Sequence, residues 1–300
     1  MTEVLSKPSS DVYRTITAKI VAAIEAGAGT FQMPWHGGLV PPAFPVNALT
    51  EKPYRGVNII ALWADAMQRR YLSGYWASYR QWQTLGAQVR KGERGSTILF
   101  YKPLDRTEDD ESDDNRSRLF IARASHVFNS EQVDGWQAPL PKLRSEVEVN
   151  DAFAAFIEAT GADIRHGSQS ACYRRDLDCI LMPNPEAFIG TTTSSPTEAY
   201  HAVLGHETIH WAGAPHRLNR EFGKRFGDQS YAFEELVAEL GAAFLCSTFR
   251  IANEPRPDHA AYVSNWLSLL NCDMRAIFTA ASKAQEAVEY LFGTASSASG

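Results

Sequence analysis

His206-Glu207-Thr208-Ile209-His210 constrains this chain more than any other segment, because two histidines four residues apart with a glutamate after the first imply a helix with a purpose. On a helix, residues i and i+4 share a face, so both imidazoles reach one metal ion while Glu207, turned about 100° away, reaches a water beside it. Five residues fix only three letters, so the flanks decide. Thr197 to Gly205 set capping residues ahead of apolar positions at Ala199, Ala202, Val203 and Ile209, and Gly213 supplies a stop, which places the motif on a helix. The chemistry this supports is metal-assisted hydrolysis. The ion would lower the pKa of a water to about 7 and polarise a carbonyl, and Glu207 would take the proton.

A catalytic zinc takes three protein ligands and leaves one position open, commonly with two histidines and a glutamate. Ser230 to Leu240 opens a second helix, with Phe233, Leu236, Val237, Leu240, Phe244 and Leu245 at a period near 3.6, and it carries Glu234, Glu235 and Glu239. Glu235 and Glu239 lie one turn apart, so Glu235 is the expected third ligand and Glu239 the expected acceptor of a ligand histidine's spare N–H. Glu234 is expected to be the exposed member. A rival set exists, since His206, Glu207, His210, Gly213 and His216 satisfy H-E-x-x-H-x-x-G-x-x-H, which would make His216 the third ligand. That scheme also wants a methionine turn, and the only methionine downstream of the motif, Met274, falls in a helical pattern. Tyr231 and His216 are the candidates for stabilising an oxyanion. Zinc is the expected metal by ligand type, and manganese or cobalt suits the same ligands.

With 300 residues, 44% hydrophobic and 11% aromatic, the chain has room for two cored domains. It has no apolar run of about 18 residues and a polar Met1 to Ser10, so no membrane association, no export and a cytoplasmic location are expected. Cys172, Cys179, Cys246 and Cys272 form no C-x-x-C pair, which argues against a disulfide framework or a structural zinc. The net charge of −6 is uneven: residues 1–145 hold 18 Lys and Arg against 15 Asp and Glu, and residues 146–300 hold 11 against 20. Seven of the first half's acids crowd into Asp105 to Asp114, read as a solvated loop, so the rest of that half is strongly basic. A basic module beside an acidic one is the pattern of a polyanion binder joined to something else.

Periodicity and punctuation predict helices over 11–27, 57–70, a short one from the Ser78/Gln81 capping box to Gly86, 151–160, and 257 to about 293. Strands are predicted over 97–101, 119–128 and 178–182, the first two flanking the acidic loop as a hairpin. The expected fold is α+β in two domains: a small mixed α/β domain over 1–140, a Pro-containing linker over 141–149, and a mainly helical domain over 150–300.

Between Tyr54 and Lys102, aromatics interleave with cations, the arrangement that holds single-stranded nucleic acid by stacking bases and tracking phosphates. The candidates are Arg55, Asn58, Trp76, Arg80, Trp82, Arg90, Lys91 and Arg94, with Gly92 and Gly95 allowing close backbone approach to a phosphate. Trp63 falls on an apolar helix face and reads as core, Trp82 reads equally as core or platform, and Arg69 and Arg70 suit a solvated helix end.

Together these motifs resemble the ArdC antirestriction family, whose relatives include a segment of plasmid TraC-type primases. The resemblance rests on Pro45-Val46-Asn47, Tyr54 to Asn58, Val89 to Gly95 and Val127 to Gln132 in the first half, and on His206-Glu207, His210-Trp211, Gly213, Arg217-Leu218 and Glu234 to Glu239 in the second. It implies a single-stranded DNA-binding domain joined to a zincin-like metallopeptidase domain, carried on conjugative plasmids and protecting entering DNA from host restriction. It further implies that the position of His216 is often not histidine, which favours Glu235. Single-stranded DNA is then the expected partner, with a host protein as the peptidase substrate. Two other functions compete: a plain metallopeptidase whose first half is a protein-binding exosite, and a non-enzymatic decoy in which acidic surfaces mimic DNA.

Overall fold

The computed structural model describes residues 9–27, 43–103, 120–139, 146–191, 194–222, 229–252 and 259–298. The first module begins with α1 (Ser9–Gly27), which buries Ile16, Ile20 and Ile24 at helical spacing. Lys19 Nζ donates to the buried Asp65 Oδ2 at 2.7 Å, fastening α1 to α2 (Val57–Arg69), which ends where Arg70 turns left-handed. Beside α2 lies a sheet of four strands in the order β1 (Val46–Asn47), β2 (Tyr75–Ala77), β5 (Phe120–Asn129) and β4 (Ser96–Pro103). β1 and β2 are parallel and the other pairs antiparallel; β4 and β5 form the long hairpin, in register from Ser96↔Val127 to Pro103↔Phe120. The acidic run expected at its tip lies outside the described residues. A short α3 (Tyr79–Thr84), started by the Ser78/Gln81 capping box, leads to a two-stranded ribbon of β3 (Gln88–Val89) and β6 (Val133–Asp134).

In the second module the helix expected over 151–160 starts earlier: α4 runs over Glu146–Ala159, so the described part of the expected linker, residues 146–149, is helical. A three-stranded sheet follows in the order β7 (Asp163–His166), β9 (Cys179–Met182), β8 (Cys172–Arg174), with β7 parallel and β8 antiparallel to β9. Only β9 is anticipated by periodicity. α5 (Pro196–Ala212) carries the histidine motif and opens on a full capping box between Ser195 and Glu198. α6 (Gln229–Phe249) carries the glutamates. The single helix expected from Pro257 is two, α7 (His259–Cys272) and α8 (Ala276–Ala298). Asp273 breaks them apart, its side chain accepting from Arg275 N at 2.8 Å and its carbonyl from Ala276 N.

The modules are not separated by solvent. One apolar cluster runs from Ile16, Ile20, Ile59, Ile60 and Trp63 of the first into Phe153, Leu236, Phe244 and Leu270 of the second. Trp63 and Phe244 meet at 5.8 Å between ring centroids, and Tyr13 and Phe278 at 4.6 Å. Aromatic contacts of this kind add to simple area burial. No helix among the described residues is long and apolar enough to cross a membrane.

Candidate metal centre and nucleic-acid face

α5 and α6 cross closely because of Gly241. A Cβ there would stand 2.8 Å from Ile209, so only glycine lets α6 lie near enough for its glutamates to face the α5 histidines. Both helices are buried on most sides through this stretch. His206 Nε2 lies 3.1 Å from His210 Nε2, and Glu235 places Oε2 3.5 Å from His206 Nε2 and Oε1 3.5 Å from His210 Nε2. A tetrahedral ion with bonds of about 2.0–2.1 Å sets its ligand atoms about 3.3 Å apart, so the three groups already stand at the spacing of such an ion. Two buried imidazoles aimed at one point beside a carboxylate fit a divalent metal, which His206, His210 and Glu235 could hold.

The groups behind the triad fix its orientation. His210 Nδ1 lies 3.1 Å from Glu234 Oε1, so Nδ1 donates to that carboxylate and Nε2 faces the site. Glu234, expected on the surface, is instead buried. Arg220 holds it bidentately, Nε to Oε2 at 3.0 Å and Nη2 to Oε1 at 2.7 Å, and Nη2 also donates to Ile209 O at 2.6 Å. Gly213 makes room for this arginine: a Cβ would meet its guanidinium at 2.7 Å. The glycine's backbone is ordinary right-handed (φ −78°), so its use is space rather than a chain reversal. Glu239 Oε2 stands 3.6 Å from His206 Nδ1, a buried nitrogen with no hydrogen-bond partner among the described residues. Glu239 is thus on the side of His206 where the expected support belongs.

Charge follows from this crowding. Burial alone would depress His210, but Glu235 and then Glu234 outweigh it and push its pKa up to about 10. Burial likewise opposes an ionised Glu235, yet His210 and His206 hold it well below the usual carboxylate range.

Glu207 is placed by a backbone group. Tyr173 N, on the edge strand β8, donates to Glu207 Oε2 at 2.8 Å. That strand is clamped to the loop after α5: Tyr173 Oη donates to Asp178 Oδ1 at 2.8 Å, and Arg217 pairs with both oxygens of Asp178. Arg217 also donates to Trp211 O at 2.6 Å and lies 3.8 Å over its ring. Hydrogen bonding from Arg217 carries Asp178 down to about 2. His216, the rival third ligand, is exposed and bonded to Asp178 Oδ2 at 3.1 Å, outside the triad. Tyr173, Asp178, Arg220 and the burial of Glu234 escape sequence reasoning; the arginines at 217 and 220, just after the motif, are the signal that could have pointed there.

The proposed nucleic-acid residues scatter. Trp76 and Trp82 are 1% and 0% exposed. Trp76 fills a cluster with Leu62, Ile98 and Val127, and Trp82 Nε1 donates to Phe128 O at 3.0 Å, so neither ring offers a stacking surface. Asn58 spends its amide on the free edge of β4, with Nδ2 to Leu99 O and Leu99 N to Oδ1, both 2.8 Å. Arg55 is exposed but paired with Glu289. Arg90 is bracketed by Glu93 at 3.0 Å, Asp134 at 3.5 Å and the carbonyl of Glu131. Arg80, Lys91 and Arg94 remain exposed, with no acidic partner among the described residues.

Comparison with known proteins matches each module. The family described as N-terminal domain of anti-restriction factor ArdC matches residues 10–128, and the family described as zincin-like metallopeptidase matches residues 151–283. Protein y4eC of Sinorhizobium fredii (strain NBRC 101917 / NGR234) is 44% identical over 294 residues, 96% of this chain and 94% of that protein. A DNA primase TraC of Escherichia coli is 33% identical over 298 residues, which is 93% of this chain but 27% of the primase. Among solved structures, metal-free ArdC from plasmid R388 superposes with a TM-score of 0.76 at 37% identity, covering 96% of this chain and 98% of that one. Its Mn(II)-bound structure gives 0.74 at 36%, covering 94% and 97%.

Proposed function

The chain belongs to the ArdC antirestriction family, and on that premise we propose that it binds single-stranded DNA through its first module and carries a zinc-dependent peptidase site in its second, protecting incoming conjugative DNA from restriction. The observation that carries the proposal is the convergence of His206, His210 and Glu235 at 3.1–3.5 Å. Zinc is assigned by its preference for imidazole and carboxylate, and the existence of a Mn(II)-bound structure of the R388 relative supports a divalent ion. When bound, the ion supplies Lewis acidity toward a peptide carbonyl.

The protein groups do the rest. His206, His210 and Glu235 hold the ion, Glu234 and Glu239 orient the imidazoles, and Glu207, anchored by Tyr173 N, takes a proton from the attacking water and returns it to the departing amine. In the first module, Arg80, Lys91 and Arg94 supply charge for the phosphate backbone, an attraction that weakens as salt rises. The partners are thus single-stranded DNA and a host protein as peptidase substrate. Conjugative transfer of an unmodified plasmid into a restricting recipient, comparing wild type with Glu207→Gln, tests the link between the two halves. Loss of protection in the variant is expected; full protection would separate antirestriction from proteolysis.

A further inference from the structure

We propose that the hollow walled by Tyr79 and Phe128 takes one unstacked base of single-stranded DNA, an inference that rests on the nucleic-acid reading of the first module and gives it a location. Stacking needs an exposed ring; Trp76 and Trp82 are buried, and the half-buried Trp136 packs against Tyr75 and Trp82. Among the described residues two aromatic side chains are exposed, Tyr79 at 43% and Phe100 at 58%. Phe100 borders a groove whose lining carries Glu286 and Glu289 against Arg55 alone, already paired with Glu289, so its charge balance is negative where that of the Tyr79 hollow is even. Tyr79 stands elsewhere, at the start of α3, beside a hollow of about 540 Å³ floored by β3 and β6. That volume lies within the range of about 300–1,000 Å³ common to small-molecule sites.

The ring is braced before anything binds. Gln88 Nε2 donates to Tyr79 Oη at 3.0 Å, and Phe128 meets the ring edge-on at 6.5 Å between centroids. A ring held in place loses little rotamer freedom on stacking. The charges around the hollow point to a base rather than a phosphate: Arg90 and Lys91 are matched by Glu93 and Asp134, and Arg90 is already spent on those two acids. A carboxylate repels phosphate but accepts from the N–H groups on a base edge. Flanking phosphates would then fall to Lys91 at the rim and to the exposed Arg80 next in sequence to Tyr79.

The test measures binding of the full chain to a fluorescent oligothymidylate and to an abasic oligonucleotide of equal length, using wild type, Tyr79→Ala, Tyr79→Phe and Phe100→Ala. Tyr79→Ala should weaken oligothymidylate binding by roughly 5- to 150-fold, the span of one lost base stack. Its salt dependence should be unchanged, because no phosphate contact is removed. Tyr79→Phe, which keeps the ring and its Phe128 contact but loses the Gln88 hydrogen bond, should bind far more tightly than Tyr79→Ala, Phe100→Ala should bind like wild type, and the abasic strand should not distinguish Tyr79→Ala from wild type. If wild type binds and Tyr79→Ala matches it on oligothymidylate, or weakens the abasic strand equally, the base pocket is wrong while the DNA reading stands. If wild type binds neither strand, the DNA reading itself falls and takes the pocket with it.

Discussion

His210 sits between two carboxylates, Glu235 on its Nε2 side and Glu234 on its Nδ1 side, and that placement sets its protonation. Its pKa is raised from 6.5 to about 10. A group raised in the folded state stabilises the fold fully below its unfolded value and loses that contribution as pH climbs through the folded one. The metal-free protein is therefore expected to lose thermal stability between pH 6.5 and about 10, measured by melts across that range. Metal must displace the same proton, so apparent Zn(II) affinity should rise by about tenfold per pH unit over this window, and a flat profile in titration calorimetry would rule the linkage out. Arg220 acts at the same scale, through Glu234. Arg220→Met should lower metal affinity by about 10- to 100-fold, the usual cost of losing an outer partner of a ligand histidine, and wild-type affinity in that variant would remove Arg220 from the site.

At the scale of elements, the α5–α6 crossing decides whether a site exists at all. Gly241→Ala places a methyl 2.8 Å from Ile209, and overpacking of this kind costs about 1–3 kcal/mol. Trimming the partner with Ile209→Ala should make the double variant less destabilised than the sum of the singles in denaturant titration; strict additivity would mean the helices adjust freely. The long helices and the β4–β5 hairpin were legible because each keeps one period over many residues. β7 and β8 were not: at four and three residues, with mixed and partly exposed side chains, their only signal is the partner strand. Much of the site's support was hidden for related reasons. Tyr173 works through a backbone amide, which leaves no mark in the residue code. α6 is buried nearly all round, so no polar face marked Glu234 as interior, whereas Glu235 was expected as a ligand from its one-turn spacing to Glu239. The tryptophans misled because a ring flanked by cations reads alike in a core and on a platform. The two histidines and Glu207 were readable because their spacing is itself the chemistry.

At the scale of the molecule, the two family modules share one apolar core. A fragment ending near residue 145 would expose Ile16, Ile20, Ile24 and Trp63, which now share one core with residues of α6, α7 and α8. Each buried side chain of this size is worth about 1.5–3 kcal/mol, so the separate halves should aggregate or remain unfolded, and co-expression should recover a complex. Two soluble, folded fragments in circular dichroism would contradict the shared core. Removing the metal should act on the whole molecule too, since the triad ties α5 to α6, and chelation should lower the melting temperature. The most direct test of the central claim is the metal content of the purified full chain by mass spectrometry, with and without Glu235→Ala. One tightly held divalent ion per chain in wild type, lost or greatly weakened in the variant, is the expected result. An undiminished ion in Glu235→Ala, or none in wild type after incubation with Zn(II), would show that His206, His210 and Glu235 are not the metal centre.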